Sequence, residues 1–137
     1  MLIRKINDLN AALGNMIGFE FNRFAAQHQL SVNYTPFHFV AEEFEEAVGL
    51  ITGHAYYNEV CISDLILLEK VRKKGIGSKL LQTVEDYFSN KGYDFITLTT
   101  YEFQAPDFYV KNSFEIEYIR TNKMNPKLTK YFFRKEL

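Results

Sequence analysis

Lys70-Val71-Arg72-Lys73-Lys74-Gly75-Ile76-Gly77-Ser78-Lys79 is the stretch on which the reading of this chain turns. It follows a continuous apolar run, Leu65-Ile66-Leu67-Leu68, and leads into an amphipathic segment. Two glycines let the backbone turn sharply and come close to a ligand. Amide N–H groups in such a turn, together with the positive end of a helix dipole, form a ready anion site. Five cations in ten residues add charge, a combination suited to a pyrophosphate. The P-loop order GxxxxGK[ST] is not met, because Gly77-Ser78-Lys79 has its last two residues reversed and lacks the upstream glycine; the dinucleotide pattern GxGxxG fails at its third glycine, where Leu80 stands. What remains is Arg72-x-x-Gly75-x-Gly77. On its own it fits a cofactor loop and a ligand-free basic turn equally well.

Working outward, residues 60–68 read as a strand after a turn at Tyr57-Asn58-Glu59, with the apolar end covered on both faces. Residues 76–91 read as a helix whose apolar face is Leu80, Leu81, Val84, Tyr87 and Phe88. Lys91-Gly92 is its stop signal. Residues 95–101 are β-branched and aromatic, hence a strand. Strand, helix and strand within so short a span imply a right-handed parallel crossover. A short helix over 106–111 and a closing hairpin, 115–121 with 128–134 around 122–127, complete the C-terminal half. Upstream, strands 37–43 and 47–56 flank a hairpin tip at Phe44-Glu45-Glu46.

The N-terminal third reads as a strand over 2–6, caps at Asn7 and Asp8, and apolar residues Leu9, Leu13, Met16 and Ile17 at helical spacing. Gly14 and Gly18 suggest two short helices, the second carrying Phe21, Phe24 and Ala25 and ending near Leu30. The class is α+β, layered: a mixed, mostly antiparallel twisted sheet with one parallel β-α-β crossover and helices on both faces.

Composition narrows the function. At 137 residues the chain is one domain, 1–137; 47% hydrophobic content and a net charge of −1 exclude intrinsic disorder. The charge balance also argues against nucleic acid as a partner. No apolar run is long enough for a membrane helix, and the N-terminus lacks a signal peptide's apolar core. One cysteine, Cys61, excludes an internal disulfide or a cysteine-rich metal site, and His28, His38 and His54 lack ligand spacing, so no metal is expected. A cytoplasmic location follows as the default.

The Arg72-x-x-Gly75-x-Gly77 loop in this context resembles the acetyl-CoA loop of the GNAT superfamily of N-acetyltransferases. A second segment strengthens the resemblance: in Gln104-Ala105-Pro106-Asp107-Phe108-Tyr109-Val110-Lys111, residues Ala105, Tyr109 and Lys111, with Phe114 beyond, fall where that family places them. The likeness is strong over residues 60–114 and extends in type and order to the rest, pointing to a small bacterial-type member of unassigned substrate. Two departures stand out. Glu102 occupies a place where many members carry asparagine, and Asn112-Ser113 occupies a place where a glycine usually precedes the phenylalanine. Asparagine tolerates the left-handed conformation that such a turn needs.

The resemblance implies acetyl-CoA-dependent transfer of an acetyl group to a primary amine of a small molecule or peptide by direct attack, with no metal. A non-catalytic acyl-CoA-binding sensor or interaction module is the alternative. Main-chain amides of Arg72, Lys73, Lys74, Gly75, Ile76, Gly77 and Ser78 would hold the pyrophosphate. The backbone of Ile66 and Leu67 would pair with the pantetheine arm in a slot between splayed parallel strands, and Gln104 would join the cofactor site. Tyr109 would protonate the departing thiolate, a phenol of pKa about 10 serving a thiol of about 8.5. For the amine's base the residues leave a choice: Asp64, an acid in an apolar strand end that burial would tune upward, Glu102, His54 or a water relay.

Other features read as structural: Glu42, Glu43, Glu45 and Glu46 as a solvated hairpin tip, Cys61 as strand packing, His28 and His38 as framework. Tyr131-Phe132-Phe133 fits a core strand or the face of a homodimer.

Overall fold

The computed structural model describes all residues from Met1 to Leu137. By backbone contacts the chain divides into two units, residues 1–33 and 34–137. The first is built on helix α1 (Ala11–Gln27). Its N-cap is Asn10, whose side chain accepts from the Leu13 N–H at 2.9 Å, so neither Asn7 nor Asp8 takes the expected role. Residues 2–6 form no strand: an isolated extended segment without a partner gains too little to hold its shape. Gly14 and Gly18 do not split the helix either. Each costs about 1 kcal/mol against alanine, which a helix of good formers absorbs. The helix stops three residues before Leu30, with Gln29 in the left-handed region at φ 56° while Gln29 N–H and Leu30 N–H bond back to Ala26 and Ala25 carbonyls. This is the usual carbonyl-satisfying helix end, built on a glutamine instead of a glycine.

The second unit is a six-stranded sheet in the order β1-β2-β3-β4-β6-β5, all antiparallel except for the β3–β4 pair. Strands β1 (Thr35–Glu43) and β2 (Glu46–Tyr56) meet at a two-residue tip, Phe44-Glu45, both at positive φ, the turn that matches strand twist. Glu46 therefore starts β2, where its carboxylate pairs with Lys70 at 2.8 Å. Strand β3 (Glu59–Leu67), helix α2 (Ile76–Phe88) and strand β4 (Phe95–Tyr101) form the parallel crossover. Helix α3 (Pro106–Lys111) then precedes the hairpin of β5 (Glu115–Arg120) and β6 (Lys130–Glu136).

One core ties these pieces together. Leu80, Leu81, Val84 and Phe88 of α2 pack on Ile51, Val60, Ile62, Ile96 and Leu98 of the sheet, and Phe114 and Phe133 continue the same cluster. Tyr87 does not join the buried face: it stays half exposed, edge-on to Phe39 and under Lys91. Helix α2 ends earlier than expected, at Phe88, because the Ser89 hydroxyl donates to the Glu85 carbonyl at 2.6 Å. Phe133 points into the core while Phe132 on the opposite face meets Tyr118, so the aromatic run of β6 serves both faces.

A half-buried ion pair joins the layers: Lys135 of β6 lies 2.7 Å from Glu85 of α2 and also donates to the Asn112 carbonyl behind α3. Cys61 packs within β3, accepting from the Thr97 hydroxyl at 3.3 Å, with burial pushing its thiol pKa up. His38 bonds Thr52 and His28 lies against Phe24.

Candidate active site

The site begins with a defect in the sheet. Between β2 and β3 the register jumps, Thr52 facing Asp64 but Gly53 facing Ile62, which leaves Ser63 as an extra residue on β3. Such a bulge bends its strand. Gly53 is obligatory there, since a Cβ would stand 2.0 Å from the Cys61 carbonyl oxygen. Beyond the bulge β3 and β4 no longer pair. Their ladder consists of Glu59↔Phe95, Val60↔Ile96 and Cys61↔Thr97, while β4 stays paired with β6 along its whole length. The two parallel strands therefore diverge and leave Leu65–Leu67 with an unpaired backbone edge facing the gap.

The run Leu65-Ile66-Leu67-Leu68 is not covered on both faces: Ile66 is 61% exposed and Leu68 43%. Leu65 and Leu67 pack partly against the core, and with Ile66 they line an opening. A cleft of about 820 Å³ occupies the gap, walled by Leu65, Ile66 and Leu67 on one side and Phe103, Gln104, Ala105, Phe108 and Tyr109 on the other. Arg72, Lys73, Gly75, Gly77 and Ser78 close one end.

That end is the N-terminus of α2. The N-cap is Gly75, at φ 81°, and a glycine offers no side chain to cap the helix. The first backbone bond of the helix is Lys79 N–H to the Gly75 carbonyl, so the N–H groups of Ile76, Gly77 and Ser78 have no partner within the helix. These donors, at the positive end of the dipole, suit an anion. Gly77 is buried, and a Cβ on it would meet Phe108 Cζ at 3.0 Å and Leu67 Cδ1 at 3.5 Å. Its lack of a side chain leaves room for Phe108 and Leu67 beside α2. Arg72 donates through Nε to the Leu67 carbonyl at 3.2 Å, tying the loop to the end of β3. Lys73 holds a left-handed φ of 63°. Lys74 and the Ile76 side chain are not in the cleft wall; Ile76 lines a smaller hollow of about 300 Å³ beside β1.

Tyr109 also lines the cleft. Its ring packs edge-on to Phe108 and Phe114 and tilted on Phe133, with centroids 5.1, 5.9 and 5.6 Å away. Burial raises its phenol pKa above the ordinary value of 10.0. The turn after α3 survives without glycine, but Ser113, not Asn112, takes the left-handed conformation, at φ 68°. Helix α3 itself starts from Ala105, also left-handed at φ 78°, with Pro106 at its first position.

The candidate bases are scattered. Asp64 is exposed, so burial cannot tune it as expected; it lies two residues from Ile66 on β3, across from Thr52, and is not in the cleft wall. His54 stacks between Tyr34 and Tyr56, away from the cleft. Glu102 accepts a hydrogen bond from the Tyr131 hydroxyl, which raises the Tyr131 pKa. Sequence reasoning did not assign Phe103 and Phe108 to the wall. Phe108 is adjacent to Tyr109, but its approach to Gly77 depends on the packing of α2 against α3.

Comparison with known proteins bears on the fold and the family. No curated protein matches the chain. An acetyltransferase from Bacillus cereus ATCC 14579 shares 25% identity over 98% of both chains, with a TM-score of 0.78. A GNAT family acetyltransferase from Elizabethkingia anophelis, solved with acetyl-CoA bound, has 18% identity and a TM-score of 0.62, covering 88% of this chain and 82% of its own. The aminoglycoside 6'-N-acetyltransferase from Enterococcus faecium has 18% identity and a TM-score of 0.65, over 74% of this chain and 72% of its own. These likenesses establish the fold. The sequence profile of the Acetyltransferase (GNAT) family matches residues 11–114, which span the bulged strand, the glycine loop and the Tyr109 helix, and on that match the chain belongs to the GNAT acetyltransferase family.

Proposed function

We propose that this chain is an N-acetyltransferase that moves the acetyl group of acetyl-CoA to a primary amine of a small molecule or peptide. The observation that carries the reading is the uncapped N-terminus of α2 opening into the gap between β3 and β4. An anionic pyrophosphate suits the free N–H groups of Ile76, Gly77 and Ser78, with the side chains of Arg72 and Lys73 beside them and Lys74 farther out. The unpaired edge of Ile66 and Leu67 suits the amides of a pantetheine arm, which adds to β3 as a strand would.

The amine nitrogen attacks the thioester carbonyl carbon, forming the N–C bond. The C–S bond breaks, the sulfur leaves as a thiolate that takes the phenol proton of Tyr109, and the proton shed by the acylated nitrogen passes through water to restore the phenol. Positioning both reactants supplies much of the rate gain. The raised pKa of Tyr109 keeps that proton in place at neutral pH. The incoming ammonium loses its proton through water to Asp64, on the same strand as the pantetheine edge.

Melting the protein with and without acetyl-CoA tests the reading. A ligand that binds only the folded state stabilises it by about 2.7 kcal/mol at 100 times its dissociation constant. A clear rise in Tm, followed by release of free thiol when an amine acceptor is supplied, is expected. No shift at millimolar acetyl-CoA removes the proposal; a shift without turnover on any amine favours a binding module.

A further inference from the structure

We propose that His38 is the group on which the acceptor's ammonium proton comes to rest, reached from Asp64 through the Thr52 hydroxyl; the assignment rests on the acetyl-transfer reading above. The three residues form one row across three strands. His38 of β1 stands opposite Thr52 of β2, and Thr52 stands opposite Asp64 of β3. Phe37 and Phe39, which flank His38, meet Phe88 and Tyr87 of α2, so the row lies on the other face of the sheet.

The bulge puts Asp64 on that face. Ile62 belongs to the core beneath α2, and strict alternation from it would turn Asp64 inward as well. The extra residue at Ser63 shifts the phase by one, so Ser63 and Asp64 are both exposed and Leu65 returns to the core. Asp64 is thus the residue immediately before the stretch that lines the cleft. Cross-strand partners stand about 5 Å apart at Cβ, which brings the Asp64 carboxyl within reach of the Thr52 hydroxyl.

The next link is built for a proton in either position. Thr52 Oγ1 lies 2.6 Å from His38 Nδ1 and 3.3 Å from the Phe37 carbonyl oxygen. The carbonyl only accepts, and the hydroxyl has one proton to give. With His38 neutral and protonated at Nε2, that proton goes to Nδ1. With the imidazolium, Nδ1–H donates to the hydroxyl, which turns its own proton to Phe37. The nearest titratable groups on this face are Asp64 on β3 and His54 on β2, which stacks between Tyr34 and Tyr56; β1 itself places Pro36 and Val40 beside His38.

An imidazole suits the end of this path. Moving a proton from a primary ammonium to a carboxylate is unfavourable by about 10⁶-fold, and to an imidazole by about 10⁴-fold. The ammonium proton reaches Asp64 through water. The carboxylic acid passes a proton to Thr52 Oγ1 as the hydroxyl proton moves to His38 Nδ1. The imidazolium then releases one proton to solvent and returns to the Nε2–H form. The amine keeps the lone pair that attacks the thioester.

The pH profile of kcat/KM tests the path, with acetyl-CoA and whichever of benzylamine, ethanolamine and a lysine-containing tripeptide is acetylated fastest. Wild type removes the proton itself, so its profile should level off above about pH 7.5 and stay flat until free amine forms at roughly pH 9–10. His38→Gln keeps an acceptor for the Thr52 hydroxyl but takes no proton, and Thr52→Val cuts the row. In both, only amine that is already neutral reacts, so the plateau should become a continuous climb, about tenfold below wild type at about pH 7.5. Thr52→Ser should restore the plateau. None of the row lines the cleft, so the acetyl-CoA Kd of all three should stay within about twofold of wild type. A plateau kept in His38→Gln, at whatever height, overturns the assignment and leaves the Thr52 bond a structural one. A Kd that weakens in step with the rate overturns it as well. If the wild-type Tm does not respond to acetyl-CoA, the acetyl-transfer reading fails and the assignment goes with it. A response without turnover on any of the three amines leaves a binding module and removes the proton path.

Discussion

Gly77 of α2 and Phe108 of α3 face each other so closely that a Cβ built on the glycine would stand 3.0 Å from Cζ of the ring. Both residues line the cleft, one beside the anion end and one on the aromatic wall. Only the absence of a side chain at Gly77 lets the α3 ring come so close to α2.

Enlarging Gly77 should therefore close the cleft before it disturbs the fold. Gly77→Ala requires the Phe108 ring to move by a few tenths of an ångström, and should weaken acetyl-CoA binding by about tenfold, or 1.4 kcal/mol. Gly77→Leu should abolish the cofactor-induced Tm shift while the far-UV circular dichroism stays that of wild type. Wild-type affinity in Gly77→Leu would remove this stretch of α2 from the binding site.

The Lys135–Glu85 pair makes a prediction about stability alone. Each side chain is about a quarter exposed, at 23% and 25%, and the pair joins β6, α2 and the end of α3. Solvent reaches it, so its breakage should cost less than the roughly 3–5 kcal/mol of a fully buried pair. Glu85→Ala is expected to lose about 1–2 kcal/mol by urea unfolding, and Glu85→Gln with Lys135→Met to lose less than Glu85→Ala alone. A double variant whose loss equals the sum of the losses in Glu85→Gln and Lys135→Met alone would mean that each residue stabilises the fold independently.

The crossover was readable because its signals were local and agreed: an apolar strand, a glycine turn, a stripe at Leu80, Leu81, Val84 and Phe88, and β-branched residues from Phe95. The same run misled at its end. Ile66 carries the hydrophobicity of a buried residue, yet a bulge at Ser63 and the loss of pairing after Thr97 put it on a cleft wall. Neither is encoded in the residues that move. The N-terminal errors have the opposite origin, since Gly14 and Gly18 are local breakers that helix cooperativity overrode. Within the candidate site, what the pattern anticipated is that the loop and Tyr109 come to one cleft. The place of Phe108 in its wall was not anticipated, because its approach to Gly77 depends on how α2 and α3 pack.

Ser113 offers a test of backbone strain. Its φ of 68° is held by Ser113 N–H to the Val110 carbonyl and Phe114 N–H to the Tyr109 carbonyl, both at 3.0 Å. A non-glycine residue pays about 1–2 kcal/mol in this region. Part of that returns as lost chain entropy when glycine is installed, so Ser113→Gly should stabilise the protein by about 0.5–1 kcal/mol. Ser113→Val should destabilise it by more than 1 kcal/mol, β-branching being worst at positive φ. The urea midpoints of the two variants moving in the same direction would refute the account.

In the proposed reaction Tyr109 links stability and turnover through one proton. Burial raises its pKa above 10.0, so the folded state holds the phenol proton more tightly than the unfolded chain does. The sign follows: the stability associated with the neutral phenol is fully present below about pH 10 and is lost as pH rises through the folded-state value. Tyr131 is shifted in the same direction by its bond to Glu102, and Cys61 by burial, so alkaline destabilisation has several sources. Tyr109→Phe removes one of them. Its urea midpoint should fall less steeply between pH 9 and 11 than that of wild type, over the range where model tyrosine titrates at about 10. Its turnover with a good amine acceptor should drop about 10²-fold or more at pH 7–8, in the range expected for loss of a general acid, with little change in the KM for acetyl-CoA. A purely structural tyrosine would alter the alkaline midpoint and leave turnover intact. Equal turnover in the variant would therefore reassign the protonation of the thiolate to water, while a parallel loss of kcat and of cofactor affinity would mean that the ring shapes the cleft through its packing on Phe108.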